Sequence, residues 1–125
     1  MHSEQAIRRW TPVCGLDEIV PNTGVCALVE GEQIAVFHVR VNDRGQAQTR
    51  PQADRYFAIQ NVDPNSRVAV LSRGLVGNLG ERIVVASPIY KQHFDLQTGE
   101  CLEAPEHSVT AYPTRVEDGK VWVAA

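Results

Sequence analysis

Short runs of β-forming residues recur along the chain, separated by glycine, proline and asparagine, and this pattern most constrains the fold. Residues 25–29 and 34–39 flank Glu30-Gly31-Glu32, which predicts a hairpin that is apolar on both faces and inner in the fold. Asp118-Gly119 predicts a second tight turn. Further strands are expected over residues 55–60, 82–86, 109–116 (interrupted by Pro113) and 120–123.

Helical signals are weak by comparison. Residues 16–20 are predicted to form one helical turn that ends at Pro21, and no window sustains an apolar stripe at helical spacing. Residues 42–54 are mostly polar and predict an exposed loop. The sequence therefore predicts an all-β sandwich or barrel.

Composition bounds the possible partners and the compartment. The chain has 125 residues, which suits a single domain over residues 1–125, and a net charge of −3, which argues against nucleic acid and anionic membranes. No apolar run approaches the length of a membrane span, and the first nine residues lack the apolar stretch of a signal peptide. We therefore expect a cytoplasmic protein with no membrane contact.

Three cysteines, Cys14, Cys26 and Cys101, are widely spaced and odd in number. This argues against a disulfide framework and against a zinc site. We expect all three to be buried thiols that pack as small apolar residues.

The middle of the chain contains an ordered series of motifs. Asn61-Val62-Asp63-Pro64-Asn65 is followed by Val70-Leu71-Ser72-Arg73-Gly74, and Ser87-Pro88-Ile89-Tyr90 leads into Phe94-Asp95-Leu96-Gln97-Thr98-Gly99. This order resembles that of Rieske ferredoxins, in which a Cys-Pro-His loop, a Leu-Ser-x-Gly turn, a strand and a Cys-Pro-x-His loop precede Phe-Asp-x-x-Thr-Gly. The resemblance implies a Rieske-like β sandwich or barrel with a smaller inserted subdomain, over residues 61–100, that corresponds to the cluster-binding part.

The four cluster ligands of that pattern are missing. By the resemblance, Asp63 and Ser87 stand at the cysteine positions, and Asn65 and Tyr90 stand at the histidine positions. Lys91 stands where the family has a glycine. Iron–sulfur clusters need thiolate or imidazole donors, so we expect no cluster in this chain. The same oxygen donors suit Ca²⁺ or Mg²⁺ poorly because they supply only one charge.

A cluster-free group within the Rieske-like proteins, the nitrite reductase small subunits, is similar at further positions. Asp63-Pro64, Val70 to Gly74, Ala86-Ser87-Pro88 and Lys91-Gln92-His93-Phe94 agree with it. The resemblance implies a non-catalytic subunit of a soluble NADH- or NADPH-dependent nitrite reductase. Its partner would be a large subunit that holds FAD, siroheme and a [4Fe–4S] cluster and reduces nitrite to ammonium.

Two other functions are compatible with the residues. One is a small Rieske-type electron-transfer ferredoxin for an oxygenase, with unusual ligands; the other is a free-standing β domain with an unrelated binding role. Under the leading hypothesis, the former cluster loops are a docking surface for the large subunit, because arginine and tyrosine are frequent interface anchors. The candidate docking residues are Arg67, Arg73, Tyr90, Lys91 and Gln92; the alternative is that they are solvated loop residues.

No catalytic motif is found. Ser72 and Ser87 lie outside a Gly-x-Ser-x-Gly motif, and residues 77–80 do not follow a strand-to-helix pattern, which argues against a phosphate loop. His38 lies in a predicted strand and is expected to be a packed or edge histidine rather than a metal ligand, because no second ligand neighbours it in the sequence. None of the other histidines, His2, His93 and His107, has a cysteine at metal-ligand spacing, so no metal site is predicted.

Overall fold

A computed structural model of the chain describes residues 9–42 and 52–125. In this part of the chain it has ten β-strands and three single turns of 3₁₀ helix, which confirms the all-β prediction. The 3₁₀ turns are Leu16–Glu18, Leu71–Arg73 and Pro105–His107. The strands are β1 (Trp10–Gly15), β2 (Thr23–Val29), β3 (Glu32–Asn42), β4 (Gln52–Gln60), β5 (Leu75–Leu79), β6 (Arg82–Ala86), β7 (His93–Asp95), β8 (Ala111–Tyr112), β9 (Thr114–Glu117) and β10 (Lys120–Ala124).

The strands form three antiparallel sheets. The four-stranded sheet has the order β2-β3-β4-β8, and the two three-stranded sheets have the orders β1-β10-β9 and β5-β6-β7. Two-residue turns close the β2–β3 and β9–β10 hairpins at Glu30-Gly31 and Asp118-Gly119. All four turn residues have positive φ, between 51° and 82°, as the turn that matches strand twist requires.

Strand β3 is at the centre of the packing because both of its faces are buried. Ile34 and Val36 lie in a core cluster with β10 and the segment before β2. Ala35, Phe37 and Val39 lie in a second cluster, which includes Phe57, Leu71, Val85, Phe94, Leu96 and Cys101. Successive side chains of a strand point to opposite faces, which explains why this stretch is an unbroken apolar run. The second cluster attaches the β5-β6-β7 sheet to the four-stranded sheet.

The predicted inner position of the hairpin is right for β3 and wrong for β2. β2 is an edge strand whose Val25 and Ala27 pack against the first core cluster, while Leu28 is 74% exposed. Cys26 is exposed for the same reason, which contradicts the expectation that all three cysteines are buried. Cys14 is half-buried, Cys101 is buried, and all three are free thiols.

Other boundaries differ from the predictions by a few residues. The predicted loop over residues 42–54 is too long, since β3 includes Asn42 and β4 begins at Gln52; residues 43–51 lie outside the described residues, as does His2. The helical turn ends at Glu18 rather than at residue 20. β1 and β5 had no sequence prediction, and β5 contains Gly77 and Asn78, which are poor β-formers.

Candidate functional site

Two loops lie at one end of the β5-β6-β7 sheet, and each contains the same kind of turn. We call residues 61–74 the first loop, residues 87–92 the second loop, and both together the tip. The backbone N–H of Arg67 donates to the C=O of Asp63 at 2.7 Å, and that of Lys91 donates to the C=O of Ser87 at 3.0 Å. Arg67 and Lys91 have φ values of 63° and 62°, and a proline follows both Asp63 and Ser87. Residues 63–67 and 87–91 therefore form the same kind of turn.

The first residues of these two turns meet in the interior. Asp63 and Ser87 are both 0% exposed, and the Ser87 hydroxyl donates to Asp63 Oδ2 at 2.5 Å. The same side chains also order their own loops. Asp63 Oδ1 accepts the backbone N–H of Asn65 at 2.8 Å and that of Ser66 at 3.4 Å. Ser87 Oγ accepts the backbone N–H of Ile89 at 3.3 Å.

A second side-chain contact joins the loops next to the first. The Asn65 side-chain amide donates to the Gln92 side-chain oxygen, and the Gln92 backbone C=O accepts the N–H of Ser87 at 2.8 Å. Tyr90 differs from these residues because it is 57% exposed. Of the four positions matched to cluster ligands, the structure thus brings Asp63, Asn65 and Ser87 to the contact between the loops and leaves Tyr90 at the surface.

These residues do not fit a [2Fe–2S] cluster. A Rieske centre needs two thiolates and two imidazoles, whereas this tip has a carboxylate, an amide, a hydroxyl and an exposed phenol. The direct hydrogen bond between Asp63 and Ser87 leaves no space for an iron between them. Within residues 9–42 and 52–125, no three His, Cys, Asp or Glu side chains gather in an arrangement able to hold a metal ion.

The motifs around the loops have a structural explanation. Gly74 allows the first loop to pass β6, since a Cβ there would lie 2.3 Å from the C=O oxygen of Ala86. Asp95 Oδ1 accepts the backbone N–H of Gln97 at 2.7 Å and of Thr98 at 3.0 Å. Gly99 has a φ of +84°, and a Cβ there would lie 2.1 Å from the C=O oxygen of Val109. Gly74 thus serves the close packing of the first loop, and Asp95 and Gly99 serve the turn that follows β7.

The candidate docking residues divide into two groups. Arg67, Arg73 and Lys91 are exposed like Tyr90, whereas Gln92 is half-buried and holds Asn65. The sequence reasoning overlooked the exposed apolar residues beside them, which are Val62, Val68, Leu75 and Ile89. An apolar residue within a polar loop, such as Ile89 after Pro88, is the signal that could have identified them.

A second polar group lies away from the tip, where β3 and β4 pair. Buried His38 lies with Nδ1 2.9 Å from the Ile19 C=O oxygen and Nε2 2.8 Å from Asp54 Oδ1, and its ring stacks on Tyr56. This confirms His38 as a packed histidine. Hydrogen bonds from His38, and then from Arg40, hold the pKa of Asp54 below its usual value. The group borders a cavity of about 390 Å³.

Among the residues that the structure describes, the remaining titratable side chains do not form a reactive centre. Burial raises the pKa of the Cys14 and Cys101 thiols, which disfavours the thiolate that nucleophilic or redox chemistry needs. His93 pairs with Glu103 at 2.6 Å. His107 lies in the 3₁₀ turn Pro105–His107.

Comparison with known proteins identifies the family. Residues 9–124 match the family model described as a Rieske-like [2Fe-2S] domain. A nitrite reductase (NADH) small subunit from Salmonella typhimurium is 44% identical over 114 residues, which are 90% of this chain and 94% of that protein. This chain belongs to the family of nitrite reductase (NADH) small subunits. A crystal structure from Mycobacterium tuberculosis, described as an NADH-dependent nitrite reductase small subunit, agrees with a TM-score of 0.81 and 42% identity and covers 95% of this chain and 96% of that one. The family predicted from the sequence is confirmed.

Two more distant relatives bear on the partner and on the fold. A nitrite reductase [NAD(P)H] large subunit from Klebsiella oxytoca is 38% identical over 116 residues, which are 93% of this chain but 11% of that protein. The ferredoxin of carbazole 1,9a-dioxygenase from Nocardioides aromaticivorans has a TM-score of 0.68 at 22% identity over 91% of this chain and 95% of that one, which shows a shared fold alone. None of the helices in the described residues has the length and apolar character to cross a bilayer.

Proposed function

We propose that this small subunit is non-catalytic, carries no cluster of its own and acts by docking on the large subunit of an NADH- or NADPH-dependent nitrite reductase. The observation that carries the proposal is a Rieske-like scaffold in which Asp63 and Ser87 are hydrogen-bonded to each other in the interior. The sequence resemblance matches these two residues to the cysteine positions. Such a tip retains the shape of an electron-transfer domain without donors for its iron.

The partner would supply the chemistry. In this proposal the large subunit holds FAD, siroheme and a [4Fe–4S] cluster and passes electrons from the nicotinamide cofactor to nitrite, giving ammonium. The Klebsiella oxytoca large subunit supports the association because a segment like this chain is part of the same polypeptide. Covalent linkage gives two docking modules a high effective concentration, which is useful only if they bind each other. Three free cysteines accord with a cytoplasmic location.

We place the docking surface at the tip. Arg67, Arg73 and Lys91 give it a positive charge, although the whole chain has a net charge of −3. Tyr90 and Ile89 are exposed among them, and a central aromatic or apolar anchor with a polar rim is typical of protein interfaces. The complementary surface on the large subunit would have an apolar centre and acidic residues around it.

Charge reversal tests this placement. The double variant Arg73→Glu/Lys91→Glu should weaken binding to the purified large subunit by at least about tenfold, because opposite charges at a rim steer association. The matched control is Arg9→Glu/Lys120→Glu, which makes the same change in net charge on β10 and beside β1. Equal binding of both variants, measured by titration at low salt, would show that the tip is not the docking surface.

Reconstitution tests the proposed function itself. The large subunit expressed alone and with this chain should differ in NADH-dependent nitrite reduction or in the yield of folded complex, and the two chains should purify together. A large subunit that neither binds this chain nor changes in activity or yield would contradict the proposal. A reversible redox couple in the isolated small subunit would instead support the electron-transfer ferredoxin.

A further inference from the structure

Regular secondary structure does little to hold the two loops of the tip together. The first loop has only a single 3₁₀ turn and the isolated bridge between Val62 and Ala69, and the second loop has no strand or helix. In a cluster-bearing Rieske domain, one cysteine and one histidine come from each loop, so the cluster itself cross-links them. The residues of this tip do not fit that cluster, yet its loops meet directly at the Asp63–Ser87 and Asn65–Gln92 contacts.

We infer that the Asp63–Ser87 hydrogen bond, supported by the contact between Asn65 and Gln92, has taken over the cross-linking role of the cluster. Asp63 and Ser87 are positioning residues in this account: they hold the exposed side chains of both loops in one arrangement before the partner arrives. A surface ordered in advance binds more tightly because less conformational entropy is lost on association. This inference rests on the proposed docking function of the tip.

Burial makes the cross-link effective. Both side chains are inaccessible to water, so a broken Asp63–Ser87 bond leaves groups that solvent cannot satisfy. Each side chain also accepts a backbone N–H two residues further on, from Asn65 in the first loop and from Ile89 in the second. Separation of the loops would therefore disturb the local turns as well as the contact between them.

The similarity of the two turns, at residues 63–67 and 87–91, provides a specific test. Asp and Ser side chains both accept backbone N–H groups in this kind of turn, so the two residues should be exchangeable. Ser87→Asp alone places two carboxylates at the buried contact and should break it. Adding Asp63→Ser to that variant restores one carboxylate and one hydroxyl, with their places reversed. A merely local role of either residue would not produce rescue by the reversed pair.

Amide hydrogen exchange and partner binding are the two readouts. In Ser87→Asp, exchange at the N–H groups of Arg67 and Lys91 should rise by at least about tenfold, and binding to the large subunit should weaken by a similar factor. The double variant Asp63→Ser/Ser87→Asp should recover both to within about threefold of the natural chain. The N–H of Val85, within β6, is the internal reference and should change little. If Ser87→Asp does not fold, Ser87→Ala takes its place as the variant that breaks the contact. Asp63→Ala/Ser87→Ala is then the control, and its effect on exchange should be smaller than the sum of the two single effects.

Two outcomes would overturn the inference. One is unchanged exchange at Arg67 and Lys91 when the contact is broken; the other is a reversed pair that is no better than Ser87→Asp. A different result would contradict the docking proposal. Exchange that rises and recovers as expected, while binding to the large subunit stays constant throughout, would support the cross-link and contradict docking through the tip.

Discussion

The tip and the His38 group use similar polar side chains in different surroundings. In the tip, Asp63 and Ser87 are both closed to water and connect two loops. In the His38 group, the imidazole is buried, but its partner Asp54 and the neighbouring Arg40 each have a side chain that is 48% exposed. Water can replace a lost partner in the second case and not in the first. The difference implies that the tip depends on its polar contact much more strongly.

The largest effect is expected for Asp63→Ala. Loss of the carboxylate leaves the buried Ser87 hydroxyl and the backbone N–H of Asn65 without their acceptor. The free energy of unfolding should fall by about 2–3 kcal/mol, measured by urea denaturation. Ser87→Ala in the same background should then cost little more, because the contact is already lost. A loss below about 0.5 kcal/mol for Asp63→Ala would mean that the tip behaves like an ordinary surface site. The tip would then not depend on its polar contact more strongly than the His38 group does.

A smaller effect is expected for Asp54→Ala in the His38 group. Arg40 and the exposed side of the site remain open to water, so the loss should be about 0.5–1 kcal/mol. The same urea experiment measures it. A loss as large as that of Asp63→Ala would show that burial does not decide the difference between the two regions.

Acidification should reduce the contribution of the His38 group to folding stability, because Asp54 becomes protonated. Its pKa is lowered in the folded chain, so its contribution to stability is present above the unfolded-state pKa of about 4 and is lost as the pH falls toward the folded value. His38 and Arg40 are the groups that face it, together with Asp17 on the wall of the cavity. The stability difference between the natural chain and Asp54→Asn should be constant at neutral pH and shrink in acid; a difference that grows on acidification would contradict the assignment.

The smallest effect is expected for Arg82→Ala. Arg82 pairs with Glu100 at 2.8 Å and lies 3.7 Å from Asp95, but its side chain is 45% exposed. Exposed pairs contribute little and are screened by salt. Thermal unfolding at low and high salt should show a slight destabilisation that disappears at high salt.

The structural features that could be predicted from the sequence are those that depend on the local pattern of residues. The unbroken apolar run of β3 and the turn at Asp118-Gly119 follow from side-chain alternation and positive φ, and both are present. The exposure of Cys26 depends on β2 being an edge strand, which alternation within the hairpin does not reveal. Likewise, the contact between Asp63 and Ser87, which are 24 residues apart in the sequence, depends on how the two loops pack. The missing ligands were visible in the sequence, but the contact between their replacements was not.

The most direct test of the account is the iron content of the small subunit, purified without air from cells with an active cluster-assembly system. We expect no bound iron or sulfide and no visible absorption, and Asp63→Ala should be as colourless as the natural chain. Stoichiometric iron and sulfide, with absorption bands of sulfur bound to iron, would contradict the claim that a hydrogen bond between Asp63 and Ser87 stands where the cluster would be.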